Sequence, residues 1–139
     1  MGVRGIFMGC GSIVLADRHP SMLTGIRSLL ATEADTVLMA VDEASLRNAV
    51  LKVIPDLVIA DLSFPVSGGP NVVKHVKQCT PAIKIIILSV YDDPAVVDGI
   101  LADGADGVVL RQRAVVDLIP AVREVSQGGR YKSISSVEG

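Results

Sequence analysis

The 139-residue chain contains no tryptophan, two phenylalanines and two tyrosines, so aromatic residues make up only 3% of it. Few flat side chains are on offer for a nucleobase to stack on, and a net charge of −2 at pH 7 supplies no basic field to gather phosphates. Direct binding of nucleic acid or of an anionic membrane by this chain is therefore not expected. Soft ligands are scarce too: Cys10, Cys79, His19 and His75 are the whole supply. They form no CxxC pair and no spaced Cys/His set, which removes a structural zinc and a disulfide framework and leaves both thiols buried or incidental. Apolar runs such as Ile85-Ile86-Ile87-Leu88 fall far short of the roughly 20 residues that a spanning helix needs. Neither GxGxxG nor the GxxxxGK loop occurs, so readings built on nucleotide binding lose their main support.

Half of the residues are hydrophobic, and with so few aromatics the core must be Val, Ile, Leu and Ala. That diet suits a sheet buried on both faces. The length suits one domain. Short apolar runs at Ser12–Ala16, Thr36–Ala40, Leu57–Ala60, Lys84–Ser89 and Gly107–Leu110 read as five strands. Between them, Pro20–Ala31, Asp42–Val53, Pro70–Gln78, Pro94–Ala102 and Asp117–Gln127 have helical spacing, with Ile26, Leu29 and Leu30 or Leu46, Val50 and Val53 on one face. Asp42 with Ser45 caps one helix, Asp92-Asp93-Pro94 opens another, and Gly104 and Gly128-Gly129 stop two more. Pro120 is awkward inside a helix; starting the last helix near Val116 or Asp117 places it in the first turn. Strand–helix alternation five times over predicts an α/β fold, a doubly wound five-stranded parallel sheet with helices on both faces. The Gly-rich residues 1–11 lack the apolar core of a signal peptide and read as a flexible lead-in to a domain over residues 12–130.

In such sheets chemistry collects beyond the carboxyl ends of the strands. Asp17 and Arg18 end the first strand, Asp61 the third, Ser89 the fourth and Arg111 the fifth. At this point the chain resembles a known family. Val14-Leu15-Ala16-Asp17-Arg18-His19-Pro20, Pro55-Asp56-Leu57-Val58-Ile59-Ala60-Asp61-Leu62-Ser63-Phe64-Pro65, Ile86-Ile87-Leu88-Ser89 and Gly104-Ala105-Asp106-Gly107-Val108-Val109-Leu110-Arg111 are similar, in order and spacing, to the receiver domain of two-component response regulators. The likeness is greatest to the NarL/FixJ-type class with a LuxR-type output.

That resemblance implies a flavodoxin-like (βα)5 fold and a cytoplasmic signalling protein rather than an enzyme. It implies that Asp61 accepts a phosphoryl group from a histidine kinase, a carboxylate oxygen being the nucleophile that forms an acyl phosphate. Asp17, Asp61 and the main-chain carbonyl of Ser63 would hold Mg²⁺, and Ser89 would sense the phosphoryl oxygen. A hard cation takes oxygen ligands and neutralises charge during phosphoryl transfer.

Three positions depart from the family pattern. Arg18 stands where a second acid is usual, Arg111 replaces a lysine, and Val108 replaces an aromatic switch residue. Two acids, Asp17 and Asp61, then face two guanidiniums with no metal at all, and paired charge is far less costly to bury than unpaired charge. One reading is an atypical receiver with weakened Mg²⁺ affinity, its state set by an internal Arg–Asp pair. Another turns Arg18 to solvent and keeps Mg²⁺ on Asp17, Asp61 and Ser63. A phosphorylation-independent module that binds a ligand or partner, and a hydrolase using Asp61, are the alternatives from other classes; Ser63 two residues past Asp61 removes the second acid that a hydrolase needs.

Bland roles are expected elsewhere. His19 shapes a helix entry, His75 beside Lys74 and Lys77 lies on a solvated face, Asp56 is a turn residue far from the site, and Gly68-Gly69 loosen the loop after Asp61. Residues 131–139 resemble the linker before a DNA-binding domain, so DNA contact would lie outside this chain. A homodimer is expected, with Ala95, Val96, Ile100, Leu118, Val122 and Val125 divided between pairing and the core.

Overall fold

A computed structural model describes residues 10–67 and 71–133. The elements in order are β1 (Cys10–Ala16), α1 (Pro20–Leu30), β2 (Ala34–Ala40), α2 (Glu43–Val53), β3 (Leu57–Asp61), α3 (Val72–Cys79), β4 (Lys84–Ser89), α4 (Pro94–Ala102), β5 (Gly107–Leu110), a 3-10 turn (Arg111–Arg113), α5 (Ala114–Ser126) and β6 (Tyr131–Lys132). The strands lie parallel in the order β2-β1-β3-β4-β5-β6. This is the doubly wound, flavodoxin-like sheet expected, with one strand more. Gly68, Gly69 and Pro70 lie outside the described residues, as do residues 1–9 and 134–139. Among the described residues no helix is long and apolar enough to cross a membrane.

Strand alternation sorts the core into two layers. Val14, Ala16, Val58, Ala60, Ile85, Ile87 and Val108 pack with Leu46 and Val50 of α2, Val72, Val73 and Val76 of α3, and Val97 and Ile100 of α4. The intervening residues Ile13, Leu15, Leu57, Ile59, Ile86, Leu88 and Val109 pack with Ile26 and Leu30 of α1 and with Leu118, Ala121, Val122 and Val125 of α5. Every residue of β3 and β5 is buried, which is why those strands read as unbroken apolar runs. Gly107 lets α5 lie close on β5: a Cβ there would sit 3.2 Å from Ile86 Cγ1 and 3.3 Å from Val125 Cγ2, tighter than ordinary contact.

Caps follow from side-chain chemistry. Asp42 accepts from the Ser45 amide at 2.8 Å while Ser45 Oγ accepts from the Asp42 amide, a reciprocal capping box on α2. Asp93 accepts from the Ala95 amide at 2.8 Å and opens α4. Asn71 caps α3.

Four expectations need correction. Cys10 and Gly11 belong to β1 and not to a lead-in. Tyr131 and Lys132 form a sixth strand on β5 and not a free linker, so the sheet has six strands. The last helix begins at Ala114, which leaves Pro120 inside it. Pro120 and Val116, whose carbonyl loses its amide partner, are both exposed, so water can take the missing donor's place. His75 is only 6% exposed; it shares a helix face with Val72 and Val76, turned away from the lysines on either side of it.

Candidate functional site

Register builds the site. Ala16 pairs with Ala60, so Asp17 and Asp61, the next residues along, stand side by side at the carboxyl edge of the sheet. Both continue the rows of β1 and β3 that face α1 and α5. Arg111, one residue past Leu110, continues the Val109 row of β5 toward the same cleft. The two carboxylates are buried, and the Arg111 side chain retains 12% exposure.

Arg111 spans both acids. Its Nη2 donates to Asp17 Oδ2 at 2.5 Å and lies 3.2 Å from Asp61 Oδ1, to which its Nε also donates at 3.3 Å. The remaining oxygens are engaged as well. Asp17 Oδ1 accepts from the His19 amide at 2.9 Å and from His19 Nδ1 at 2.8 Å, and Asp61 Oδ2 accepts from the Ser63 hydroxyl. All four carboxylate oxygens thus meet a protein donor. Burial alone would raise the Asp17 pKa, but the two hydrogen bonds from His19 and the charge and hydrogen bond of Arg111 outweigh it, holding the carboxyl below its ordinary value.

This arrangement is a test of whether the residues suit Mg²⁺. The donor type is right, since carboxylate oxygens are hard ligands, and Asp17, His19 and Asp61 each offer one atom within 4.8 Å of the others. The cluster could hold a metal, but the space between the two carboxylates is taken by a guanidinium. In this conformation the site does not fit an octahedral ion with its own water shell.

The three positions expected to depart from the family pattern fall differently from one another. Arg18 is exposed, and among the described residues no ion pair joins it to Asp17 or Asp61. The expected face-to-face pairing of two acids with two arginines is corrected: one guanidinium, Arg111, meets both acids and one negative charge remains. Arg18 lies two residues past the end of β1, in the turn that enters α1 and beyond the edge of the sheet. Ser89 belongs to the opposite row from Asp61; its hydroxyl donates to Tyr91 O and accepts from the Tyr91 amide, each at 3.0 Å. Val108 is fully buried against the helices of the α2–α4 layer. Asp56 accepts from the Ser12 amide at 2.9 Å, at the far end of β3. His19 was legible as a loop-shaping residue but not as the group that orients Asp17, because its Asp-x-His spacing says nothing of ring direction.

Comparisons with known proteins agree with this fold. The family model of the response regulator receiver domain matches residues 13–123. Transcriptional regulatory protein DegU of Brevibacillus brevis is 34% identical over 122 residues, covering 86% of this chain and 51% of DegU. The chain therefore spans about half the length of that curated relative. The isolated receiver domain of RcsB from Salmonella enterica serovar Typhimurium, solved with the phosphomimetic BeF3−, superposes with a TM-score of 0.80 at 28% identity, covering 90% of this chain and 94% of that one. A structure of two RcsB dimers bound to two parallel DNAs gives a TM-score of 0.80 at 29% identity, covering 90% of this chain and 64% of that one.

Proposed function

The chain belongs to the response regulator receiver domain family, and from that premise we propose that it is an atypical receiver whose phosphoacceptor cleft is closed by Arg111 in place of a bound cation. The observation that carries the reading is the contact of one guanidinium with both Asp17 and Asp61. A planar fork of donors matches carboxylates and cannot be deprotonated, so it neutralises charge at all working pH values. Asp61 is the acceptor if a histidine kinase acts on the protein, and phosphorylation requires Arg111 to yield its place.

The domain governs a transcriptional output in the cytoplasm, as fits its relation to DegU and RcsB. DNA is contacted only through an output domain outside these residues, and two copies of the chain pair. A sedimentation profile showing monomer alone at high concentration would count against that pairing.

The decisive experiment exposes the protein to Mg²⁺ and a small phosphodonor, followed by an intact mass. Labelling well below one phosphoryl group per chain is expected. Stoichiometric labelling at Asp61 would favour the second reading, a conventional Mg²⁺-dependent phosphoacceptor, for which the closeness of the Asp17, His19 and Asp61 ligand atoms is the supporting observation.

A further inference from the structure

The corner that carries Arg111 is tied by hydrogen bonds to β6, at the end of the described residues. Beyond α5 the backbone turns at Gly128, where φ is +95°, and returns beside β5. The Tyr131 amide donates to Asp106 O at 3.1 Å and the Ser133 amide to Val108 O at 2.9 Å. A two-residue strand is too short to hold by its ladder alone, and side chains fasten it on both sides. Arg130 Nη2 donates to Leu101 O and Ala105 O, each at 3.0 Å, and Lys132 pairs with Asp98 of α4 at 3.3 Å.

Ser133 is the closest link to the site. Only 6% exposed, its hydroxyl accepts from the Leu110 amide at 3.1 Å and donates to Asp117 Oδ2 at 2.6 Å. Asp117 is 5% exposed and takes Arg113 Nε at 2.8 Å and Nη2 at 3.3 Å. Leu110 directly precedes Arg111, and Arg113 follows two residues later. The corner that carries the cleft's guanidinium is therefore held from both sides by the residue at which the described chain ends.

We infer that β6, through Ser133, is a strap that reports the position of Arg111 to the chain that follows: docked while Arg111 spans Asp17 and Asp61, loosened when Arg111 withdraws. The inference rests on the reading of Arg111 as the closure of the cleft. The physical reason is that the corner cannot move in part. If residues 110–113 shift, the Leu110 amide and the Asp117 carboxylate lose a shared partner in a buried place, and unpaired buried polar groups are costly. Undocking the strap returns both to water. Val108, too small to swing as an aromatic would, is instead bonded by its carbonyl to this strap, so the fifth strand still has a way to pass its state outward.

Amide hydrogen exchange on the full chain tests this. In Arg111→Ala the Tyr131 and Ser133 amides should exchange about fivefold faster or more, the lower bound of ordinary coupling between sites, while Leu46 in α2 keeps its rate. Coupling is reciprocal, so Ser133→Ala should shift the Arg111 Nε–H resonance, and Ser133→Thr, which keeps the hydroxyl, should restore it. Unchanged exchange at Tyr131 and Ser133 in Arg111→Ala, or acceleration shared equally by Leu46, overturns the strap. Should Arg111→Ala not fold, an Arg111 resonance unmoved in Ser133→Ala overturns it alone. The site reading fails separately, if the Asp17 and Asp61 carboxylate resonances of Arg111→Ala match those of the parent protein.

Discussion

Arg111 and Asp17 stand 94 positions apart in the chain and meet at 2.5 Å, guanidinium to carboxylate, beneath the carboxyl edge of the sheet. The pair is buried on the Asp17 side and nearly so on the arginine side, so solvent does little to screen it. Removing one partner of such a pair leaves a buried charge uncompensated, which is costly. On the proposed reading, a cation entering between Asp17 and Asp61 would have to displace this guanidinium.

Replacing Arg111 with Lys and Arg18 with Asp gives the cleft the charges that the resemblance to receiver domains implies. The double variant should bind Mg²⁺ at least about tenfold more tightly than the parent, a difference of roughly 1.4 kcal/mol, as measured by titration calorimetry. Equal affinities would mean that Arg111 does not guard the cleft.

Acid stability should depend on Asp17. Its folded-state pKa lies below the ordinary value, so its contribution is complete above the unfolded pKa and is lost as pH falls through the lower folded value. His19→Ala removes the imidazole bond and leaves the backbone one. The Asp17 carboxyl should then titrate at higher pH by NMR, and stability above that range should fall by about 1 kcal/mol once the exposure of the imidazole is allowed for.

His75 is a stability liability. It is buried, its Nε2 meets no hydrogen-bond partner among the described residues, and the Glu43 carboxylate lies 3.7 Å away. Ser67 already holds that carboxylate through its amide at 3.0 Å and its hydroxyl at 2.9 Å. His75→Leu should therefore raise stability in urea unfolding by about 1 kcal/mol. A loss instead would show that the contact with Glu43 outweighs the orphaned nitrogen.

Ile54 ends α2 with φ of 53° and ψ of 66°, and it is 66% exposed. A β-branched residue in the left-handed region is strained, and Pro55 after it disfavours helical geometry further. Ile54→Gly should gain about 0.5–1 kcal/mol, the relief of strain exceeding the added freedom of the unfolded chain. Thermal unfolding at constant pH checks it, and a lowered midpoint would overturn the claim.

Local chemistry by itself determined a great deal here. Five apolar runs, four of them buried along most of their length, read as strands of a sheet covered on both faces, and Asp17, Asp61 and Arg111 stand at carboxyl ends because each directly ends or follows such a run. Even the burial of His75 was written in the spacing of Val72, His75, Val76 and Cys79, a face distinct from that of the lysines flanking it. What tertiary structure alone decided was direction. Arg18 and Arg111 carry the same side chain near the ends of two strands, yet one stands exposed in the turn past β1 while the packing of β5 against β4 brings the other between the acids. Nor could two residues, Tyr131 and Lys132, announce a strand, since a ladder that short exists only because the edge of β5, Asp117 and Arg113 were already in place to receive it.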